Sequence, residues 1–190
     1  MSNESRGCLG SVYKITADFL GERGLLDEVR SKISPESRAM VEKPPFAFAW
    51  RDSAALEEIE RVLYARSPEL CVDLGHAAGR QLSQSIVAPV LKMALSLFGT
   101  TPASLFGNLD RFFSMVVRGF SFQYQSAAPN DGVVRAQIEG AGVHPSLFQQ
   151  LRGNLKTIFD LCSVAGTVGA AQVLRNDESG AEVLLPVRWQ

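Results

Sequence analysis

The hydrophobic pattern of this sequence changes its period close to Arg118. Before that residue, apolar side chains such as Val12, Ile15 and Phe19 recur at steps of three and four, which is typical of one face of a helix. After it, the apolar residues within Phe120–Tyr124 alternate with serine and glutamine, which is typical of a half-buried strand. The change predicts helices in the first part of the chain and an antiparallel sheet in the second, which is the arrangement of an α+β fold.

Serine and proline mark the predicted helix starts. Segments 34–36 and 67–69 both read Ser-Pro-Glu, which offers a capping hydroxyl, a proline suited to the first turn and an acid near the positive end of the helix dipole. Helices are predicted over Ser11–Gly24, over Leu25–Ile33, from Ser34, from Asp52 or Ser53, from Ser67 towards Phe98, over Thr101–Arg118 and over Pro145–Cys162. Pro89 should kink the fifth of these helices, because proline removes a backbone donor. The aromatic connection Phe46–Trp50 is expected to pack against the core.

Two pairs of strands are predicted after Arg118. The first pair is Phe120–Gln125 and Val133–Glu139, with a hairpin-turn signal at Asn130-Asp131-Gly132. The second pair is Val164–Leu174 and Ala181–Trp189. We therefore expect an N-terminal helical half packed on a four-stranded antiparallel sheet with ββαββ order. No linker divides the two halves, so residues 11–190 are expected to form a single α+β domain after a flexible N-terminus over residues 1–10.

Composition and charge exclude several classes of protein. The 190 residues include 19 basic and 20 acidic side chains, for a net charge of -1, and 46% of them are hydrophobic. This is too apolar for a disordered chain, and it lacks the basic excess that binds a nucleic-acid backbone. The polar N-terminus is unlike a secretory signal. The most apolar stretch, Leu82–Phe98, is interrupted by Gln84, Pro89 and Lys92, so no membrane span is expected.

Residues suited to catalysis or metal binding are sparse. The isolated cysteines Cys8, Cys71 and Cys162 form neither a metal-ligand spacing nor an even disulfide framework, so we expect a cytoplasmic protein. His144 precedes a predicted helix start, where a capping role is expected, and His76 is interpreted as a structural histidine. The sequence contains no nucleotide-binding glycine loop and no nucleophile elbow. We expect no enzymatic activity, no metal and no cofactor.

Two groupings of titratable residues on the helices are interpreted as structural. Asp73 and His76 share a helix face, but Cys71 lies two positions before Asp73 and points elsewhere, so the three do not form a catalytic cluster. The acidic residues of the fourth helix are interpreted as a solvated face: Glu57, Glu58 and Glu60.

The segment from Leu105 to Phe122 holds an unusual amount of apolar surface. Ten large apolar side chains fall within these 18 residues, so the predicted helix must be covered on more than one face. Three explanations remain open: an ordinary core, a subunit interface, or a pocket for an apolar ligand. The residues predicted to line such a pocket are Phe112, Met115, Val116, Phe120, Phe122 and Tyr124.

The order of elements resembles a known family. The helical front, the aromatic helix Pro102–Arg118 and the ββαββ tail ending in Val187-Arg188-Trp189 resemble a family of uncharacterised bacterial proteins that are abundant in myxobacteria. That family is similar to a superfamily of ligand-binding domains, which includes the 4-vinyl reductase domain, the haem-nitric-oxide-binding domain and subunits of the TRAPP trafficking complex. The resemblance extends from about Ser11 to Trp189. It implies that this region dimerises or encloses a small or acyl ligand.

The sequence departs from the metal-binding members of that superfamily. Haem-binding members have a histidine that ligates iron and a Tyr-x-Ser-x-Arg motif that holds the propionates. Here residues 124–128 read Tyr-Gln-Ser-Ala-Ala, so Ala128 replaces the arginine that would pair with a carboxylate. Phenol-sensing members bind zinc through cysteines near the C-terminal hairpin, where this chain has only Cys162. The resemblance therefore supports neither haem nor zinc.

Two functions remain open at the level of sequence. The first is a non-enzymatic small-molecule-binding or sensory domain, homodimeric, with an apolar pocket for a small hydrophobic ligand between helices and sheet. Ligand burial would then favour one arrangement of the helices or of the dimer. The second is a ligand-free homodimeric scaffold that binds a protein partner. Neither function involves nucleic acid.

Overall fold

The computed structural model of the protein describes residues 6–85, 88, 89, 92, 93, 96 and 100–190. Its helices are α1 (Gly10–Glu22), α2 (Leu26–Lys32), α3 (Pro35–Glu42), α4 (Ala54–Arg66), α5 (Pro68–Gln84), α6 (Pro102–Phe106), α7 (Leu109–Phe113) and α8 (Pro145–Cys162). None of these described helices is long and apolar enough to cross a membrane. The helix predicted from Ser67 towards Phe98 corresponds to α5 as far as Gln84. The rest of that prediction, including the kink at Pro89, falls in a stretch that lies largely outside the described residues.

Two antiparallel sheets accompany the helices. The strands are β1 (Gly7–Leu9), β2 (Trp50–Asp52), β3 (Val117–Arg118), β4 (Phe120–Ala128), β5 (Asp131–Glu139), β6 (Gly166–Val168), β7 (Gln172–Asp177) and β8 (Gly180–Trp189). The small sheet has the order β2-β1-β3, and the larger one has the order β4-β5-β8-β6, with β7 also paired to β8. The predicted α+β class is confirmed.

The predicted four-stranded sheet is wrong in its strand count. The segment predicted as one strand, Val164–Leu174, forms parts of two strands, β6 and β7, which pair with opposite ends of β8. Pro186 of β8 explains the division. Its carbonyl accepts a hydrogen bond from the N–H of Gly169 at 2.8 Å, but proline has no N–H with which to return a bond. The ladder therefore breaks at this point, and the larger sheet has five strands.

The predicted flexible N-terminus is wrong for residues 7–10. Gly7–Leu9 form β1, the central strand of the small sheet, and the side chains of Cys8 and Leu9 are buried. The N–H of Leu9 also donates to the carbonyl of Val116 at 3.0 Å. A strand of three residues is too short to show a period in the sequence. Residues 1–5 lie outside the described part of the chain.

The helix predicted over Thr101–Arg118 is broken into α6 and α7. The break falls at Gly107 and Asn108, which are residues of low helix propensity. The side-chain amide nitrogen of Asn108 donates to the carbonyl of Ser104 in the preceding turn at 2.9 Å. The break allows α7 to pack against β4, where Asp110 Oδ1 accepts a hydrogen bond from the N–H of Phe122 at 2.9 Å.

Only part of the connection Phe46–Trp50 packs against the core as predicted, because Trp50 is partly buried against it and the two phenylalanines are not. The side chains of Phe46 and Phe48 are 74% and 61% exposed. The backbone of this segment has the structural role instead, because the carbonyls of Ala47 and Ala49 accept hydrogen bonds from the first two N–H groups of α1 at 3.0 and 2.8 Å. These N–H groups have no partner within their own helix.

Helices α5 and α8 cross with their backbones in direct contact. A Cβ atom on Gly75 would lie 2.0 Å from the carbonyl oxygen of Gln150, and one on Gly153 would lie 1.9 Å from that of Val72. Only glycine allows so close an approach. The crossing joins the N-terminal helices to the sheet half, and both helices contribute to the wall of the cavity described next.

Candidate ligand-binding cavity

A cavity of about 140 Å³ lies between the N-terminal helices and the sheet half of the molecule. One side of its wall comes from β1, α1, α4 and α5, and the other comes from α6, α7, the connection from α7 to β4, and α8. A cavity of comparable size with apolar walls accommodates benzene. The space is therefore sufficient for a small organic molecule.

Three of the six residues predicted to line a pocket do line this cavity. Phe112, Val116 and Phe120 follow one another at intervals of four residues from α7 to the start of β4. They lie beside Leu105 and Leu109, which α6 and α7 present to the same space. The apolar segment noted in the sequence therefore forms a large part of the wall.

The other three predicted residues are not among the described lining residues. Phe122 packs against Phe113, with ring centroids 4.4 Å apart, and Tyr124 stacks on Phe106 at 5.5 Å. Met115 is partly buried against the core. The prediction extended the pocket along one face of β4, but two residues of a strand cover about 7 Å. After Phe120 the strand has left the cavity.

The sequence reasoning missed two carboxylates in the wall. Glu57 and Glu60 of α4 both line the cavity, and Glu60 is only 2% exposed. The predicted solvated face is therefore wrong for these two residues, whereas Glu58 binds the start of α3. The helical period could have located Glu60, because it lies four residues after Leu56 and three before Leu63 on the buried side of the helix.

Arg6 compensates the charge of Glu57. Its Nε donates to Oε1 at 2.8 Å and its Nη2 to Oε2 at 3.0 Å, and Ser53 Oγ adds a bond to Oε1 at 2.8 Å. Burial alone would raise the pKa of Glu57, but these bonds hold that pKa below its ordinary value. Arg6 Nη1 also donates to the carbonyls of Glu139 and Gly140 at 2.7 and 3.1 Å, so the guanidinium group is engaged on two sides.

Glu60 is compensated only in part, because the charges of Arg61 and Arg6 lower its pKa by less than burial and Glu57 raise it. Its Oε2 is buried without a hydrogen-bond partner among the described residues. Burial, and then the negative charge of Glu57, raise the pKa of Glu60 from 4.5 to about 8, so the carboxyl group is mainly neutral at pH 7. A buried polar group without a partner costs roughly 1–3 kcal/mol. A perturbed carboxyl in a cavity is also a typical feature of a functional site.

The cysteines near the cavity are not activated thiols. Cys8 lines the cavity, and burial, followed by the charge of Glu60, raises the pKa of Cys8 to about 12. Burial likewise raises the pKa of Cys71 to about 12. Because the thiolate is the nucleophile and the metal ligand, neither group is suited to either role at neutral pH.

The structure does not bring Cys71, Asp73 and His76 together. His76 Nε2 lies 2.6 Å from Asp160 Oδ2 on α8, Asp73 pairs with Arg23 at 2.9 Å, and the Cys71 side chain is buried. The interpretation of His76 as a structural histidine agrees with this contact between α5 and α8.

The predicted capping role of His144 is confirmed. Its Nδ1 accepts a hydrogen bond from the N–H of Ser146 at 3.2 Å, and its ring lies edge-on to Tyr64 at 5.3 Å. Burial, and then the charge of Arg61, lower the pKa of His144. Neither histidine of the sequence is among the described cavity residues. The described part of the chain contains no group of three histidine, cysteine or acidic side chains placed to hold a metal ion.

Comparison with known proteins identifies the fold. No protein-family model and no curated protein sequence matches this chain. Solved structures do match: the Fe(II) unliganded H-NOX protein from K. algicida has a TM-score of 0.70, at 9% identity, over 96% of each chain. An H-NOX protein from S. oneidensis in the Fe(II)NO state has a TM-score of 0.65, at 11% identity, over 96% of this chain and 99% of that one. The chain has the H-NOX fold. The predicted similarity to the haem-nitric-oxide-binding domain is confirmed at the level of the fold.

Haem is the group that the H-NOX family implies, and the residues here do not fit it. His76 contacts Asp160 and His144 caps α8, so neither histidine of the sequence supplies an iron ligand in the cavity. The described cavity residues include no lysine or arginine to pair with propionates, and they include Glu57 and Glu60. Tyr124 lies against Phe106 and outside the cavity lining. The described cavity residues therefore do not form a haem site.

Proposed function

We propose that this protein is a non-enzymatic sensory domain that binds a small, mainly apolar molecule in the cavity between its helices and its sheet. The observation that carries the proposal is the cavity itself, walled by the aromatic segment from α7 to β4 and located within an H-NOX fold. The matching H-NOX proteins include one in the Fe(II) unliganded state and one in the Fe(II)NO state, and this chain shares their fold at 9% and 11% identity.

The proposed response is a shift between conformations. Phe112, Val116 and Phe120 belong to a segment that is tied to β1 by the bond from Leu9 to Val116 and to β4 by the bond from Phe122 to Asp110. A ligand that contacts this wall and the opposite wall of α4 and α5 would stabilise the arrangement in which both walls lie at contact distance. The size of the shift equals the difference in the affinity of the ligand for the two arrangements.

Filling the cavity should prevent binding. We expect native mass spectrometry of the purified protein to show a retained small molecule, or, for ligand-free protein, toluene to shift the NMR signals of cavity residues. Val116→Phe should reduce either effect strongly, because the larger ring occupies the ligand volume.

The matched control is Val173→Phe, the same change at a position on β7 that is 49% exposed and outside the cavity lining. This variant should bind as the unchanged protein does. A protein that retains nothing and gives no localised toluene shifts contradicts the proposal, as does a Val116→Phe variant with undiminished binding.

The second candidate is a homodimeric scaffold that binds a protein partner, and one observation favours it. Phe46 and Phe48 are largely exposed and adjacent, with ring centroids 5.8 Å apart. Exposed aromatic clusters of this kind are enriched at protein interfaces.

Replacing both rings should separate the two candidates. If the scaffold proposal is right, Phe46→Ser combined with Phe48→Ser converts a dimer to a monomer in sizing chromatography and leaves ligand content unchanged. A chain that is already monomeric, or a dimer that is unaffected, counts against this role for the pair. Dimerisation and the cytoplasmic location both stay predictions.

A further inference from the structure

The cavity wall contains one buried acid that the fold leaves without a partner. Glu60 is 2% exposed, it lines the cavity, and its Oε2 forms no hydrogen bond among the described residues. Its neighbour Glu57, one turn earlier on α4, is paired with Arg6 and Ser53. The helix therefore presents one satisfied carboxylate and one unsatisfied carboxyl group to the same space.

The charges around this space favour a cation over an anion. Glu57 and Arg6 form a neutral pair, and the remaining bonds of Arg6 go to backbone carbonyls. No lysine or arginine occurs among the described lining residues. If Glu60 ionises, the cavity gains one negative charge that nothing in its described wall compensates. A buried charge is tolerated when it is paired, so a ligand with one positive charge completes the site, and an anionic ligand is repelled.

The other polar groups of the wall are uncharged, and three of them lie on the side opposite the acids, whereas Ser53 and Ser83 lie on the same side as the acids. Gln150, Asn154 and Thr157 are on α8, whereas the acids are on α4. Most of the remaining wall is apolar, including Leu105, Phe112 and Val116. The described wall of the cavity thus combines a largely apolar surface with a single unpaired acid, Glu60.

We propose that the cavity binds a small, mainly apolar molecule that carries one basic amine, and that the ammonium group of this molecule pairs with the carboxylate of Glu60. The proposal rests on the proposed function, because it names the class of ligand for the same cavity. The charged nitrogen provides the hydrogen bond that Oε2 lacks, and the apolar part replaces empty space with contacts along the aromatic wall.

The binding step releases a proton. At pH 7 an alkylamine in solution is already an ammonium ion, whereas the Glu60 carboxyl group is mainly neutral. Forming the ion pair breaks the O–H bond of Glu60, transfers that proton to the solvent, and places R–NH₃⁺ beside the carboxylate. No electron is transferred and no bond to carbon changes.

Among the described titratable groups in this region, Glu60 is the one expected to release the proton. The groups that interact with it are Arg6 before β1, Cys8 on β1, Glu57 and Arg61 on α4, and Cys71 on α5, and beyond them Tyr13 on α1 and Asp52 on β2 lie near Cys8. The two arginines stay charged throughout. The pKa of Glu57 lies below its ordinary value, the pKa values of both cysteines are about 12, and burial raises the pKa of Tyr13 above its ordinary value.

The test compares three probes that share one ring and differ in the terminal group: 2-phenylethylamine, 2-phenylethanol and phenylacetate. Calorimetric titration of the full chain at pH 7 in phosphate and in Tris buffers gives both the affinity and the number of protons released. We expect the amine to bind at least about tenfold more tightly than the alcohol, which corresponds to one charged hydrogen bond, and phenylacetate to bind most weakly. The amine should release about one proton and the alcohol none.

Glu60→Gln and Glu58→Gln form the matched pair of variants. Glu60→Gln should lower the affinity for the amine about tenfold or more and abolish proton release, while the affinity for the alcohol is unchanged. Glu58→Gln makes the same change on the same helix outside the cavity and should behave as the unchanged protein. Proton release by the unchanged chain keeps the test decisive if a variant does not fold.

The failures of the two proposals are distinguishable. Equal affinities for amine and alcohol without proton release, or strongest binding of phenylacetate, overturn the amine and leave the cavity-binding function standing. If none of the three probes binds, both proposals are wrong.

Discussion

Raising the pH from 5 to 8 is expected to destabilise the ligand-free protein, and Glu60→Gln is expected to remove most of that loss. The pKa of Glu60 in the folded protein, about 8, lies above its ordinary value of 4.5 because the carboxyl group is buried and then because Glu57 is charged. The folded state therefore holds this proton more tightly than the unfolded state does. The contribution of Glu60 to stability is fully present below pH 4.5, falls as the pH rises above that value, and is lost once the pH exceeds 8.

The expected loss is large for a protein of this size. Between pH 5 and pH 8 the difference in proton binding amounts to about 3–4 kcal/mol of unfolding free energy. Whole domains are stable by about 5–15 kcal/mol. His144 acts in the opposite direction, because burial and then Arg61 lower its pKa, so its contribution to stability grows as the pH rises through the histidine range. The comparison between variants removes this common contribution.

Urea unfolding at each pH provides the measurement. The unchanged protein and Glu60→Gln should have similar stability at pH 5, and the variant should be the more stable of the two at pH 8. Glu58→Gln should follow the unchanged protein over this range, because hydrogen bonds from Ser37 and Ser34 lower the pKa of Glu58, and it titrates at more acidic pH. Parallel curves for the unchanged protein and Glu60→Gln would show that Glu60 is ionised in the folded state at pH 7.

Local signals in the sequence predict the elements of this fold well. Ser34 caps α3 through a bond from the N–H of Ser37 at 3.2 Å, as the Ser-Pro-Glu pattern indicates. The change of period at Arg118 falls where β3 ends and β4 follows. These features depend on residues within one or two turns of each other, so a local pattern predicts where the helices start, although Ser67 starts α5 from the same pattern without a side-chain capping bond.

Features that depend on distant residues are where the sequence predictions fail. Pro186 divides β6 from β7 because it lies opposite Gly169, which no local pattern reveals. The candidate site shows the same division. Phe112 and Val116 were predicted from their own apolar surroundings, whereas Glu57 is held in the wall by Arg6, 51 residues away. An acid next to other acids on a helix is typically solvated, and only the position of β1 against α4 reverses that expectation.

Gly153→Ala is expected to destabilise the protein by about 3 kcal/mol or more, although alanine is the better helix former by about 1 kcal/mol. The added Cβ would lie 1.9 Å from the carbonyl oxygen of Val72 and 2.7 Å from the N–H nitrogen of His76. Both are backbone atoms inside α5, so no side-chain rotation relieves the contact. The two helices must separate, and contacts along the whole crossing weaken.

The matched control is Gly21→Ala in α1. A Cβ atom there meets no other atom within 4 Å, so the same change should be neutral or stabilise the protein by about 0.4–1 kcal/mol. Urea unfolding of both variants gives the comparison. Because α5 and α8 both line the cavity, separation of these helices should also weaken ligand binding in Gly153→Ala, whereas Gly21→Ala should bind normally. Equal stability of the two variants would mean that α5 and α8 do not cross at backbone contact, and the cavity wall built on that crossing would then have a different shape.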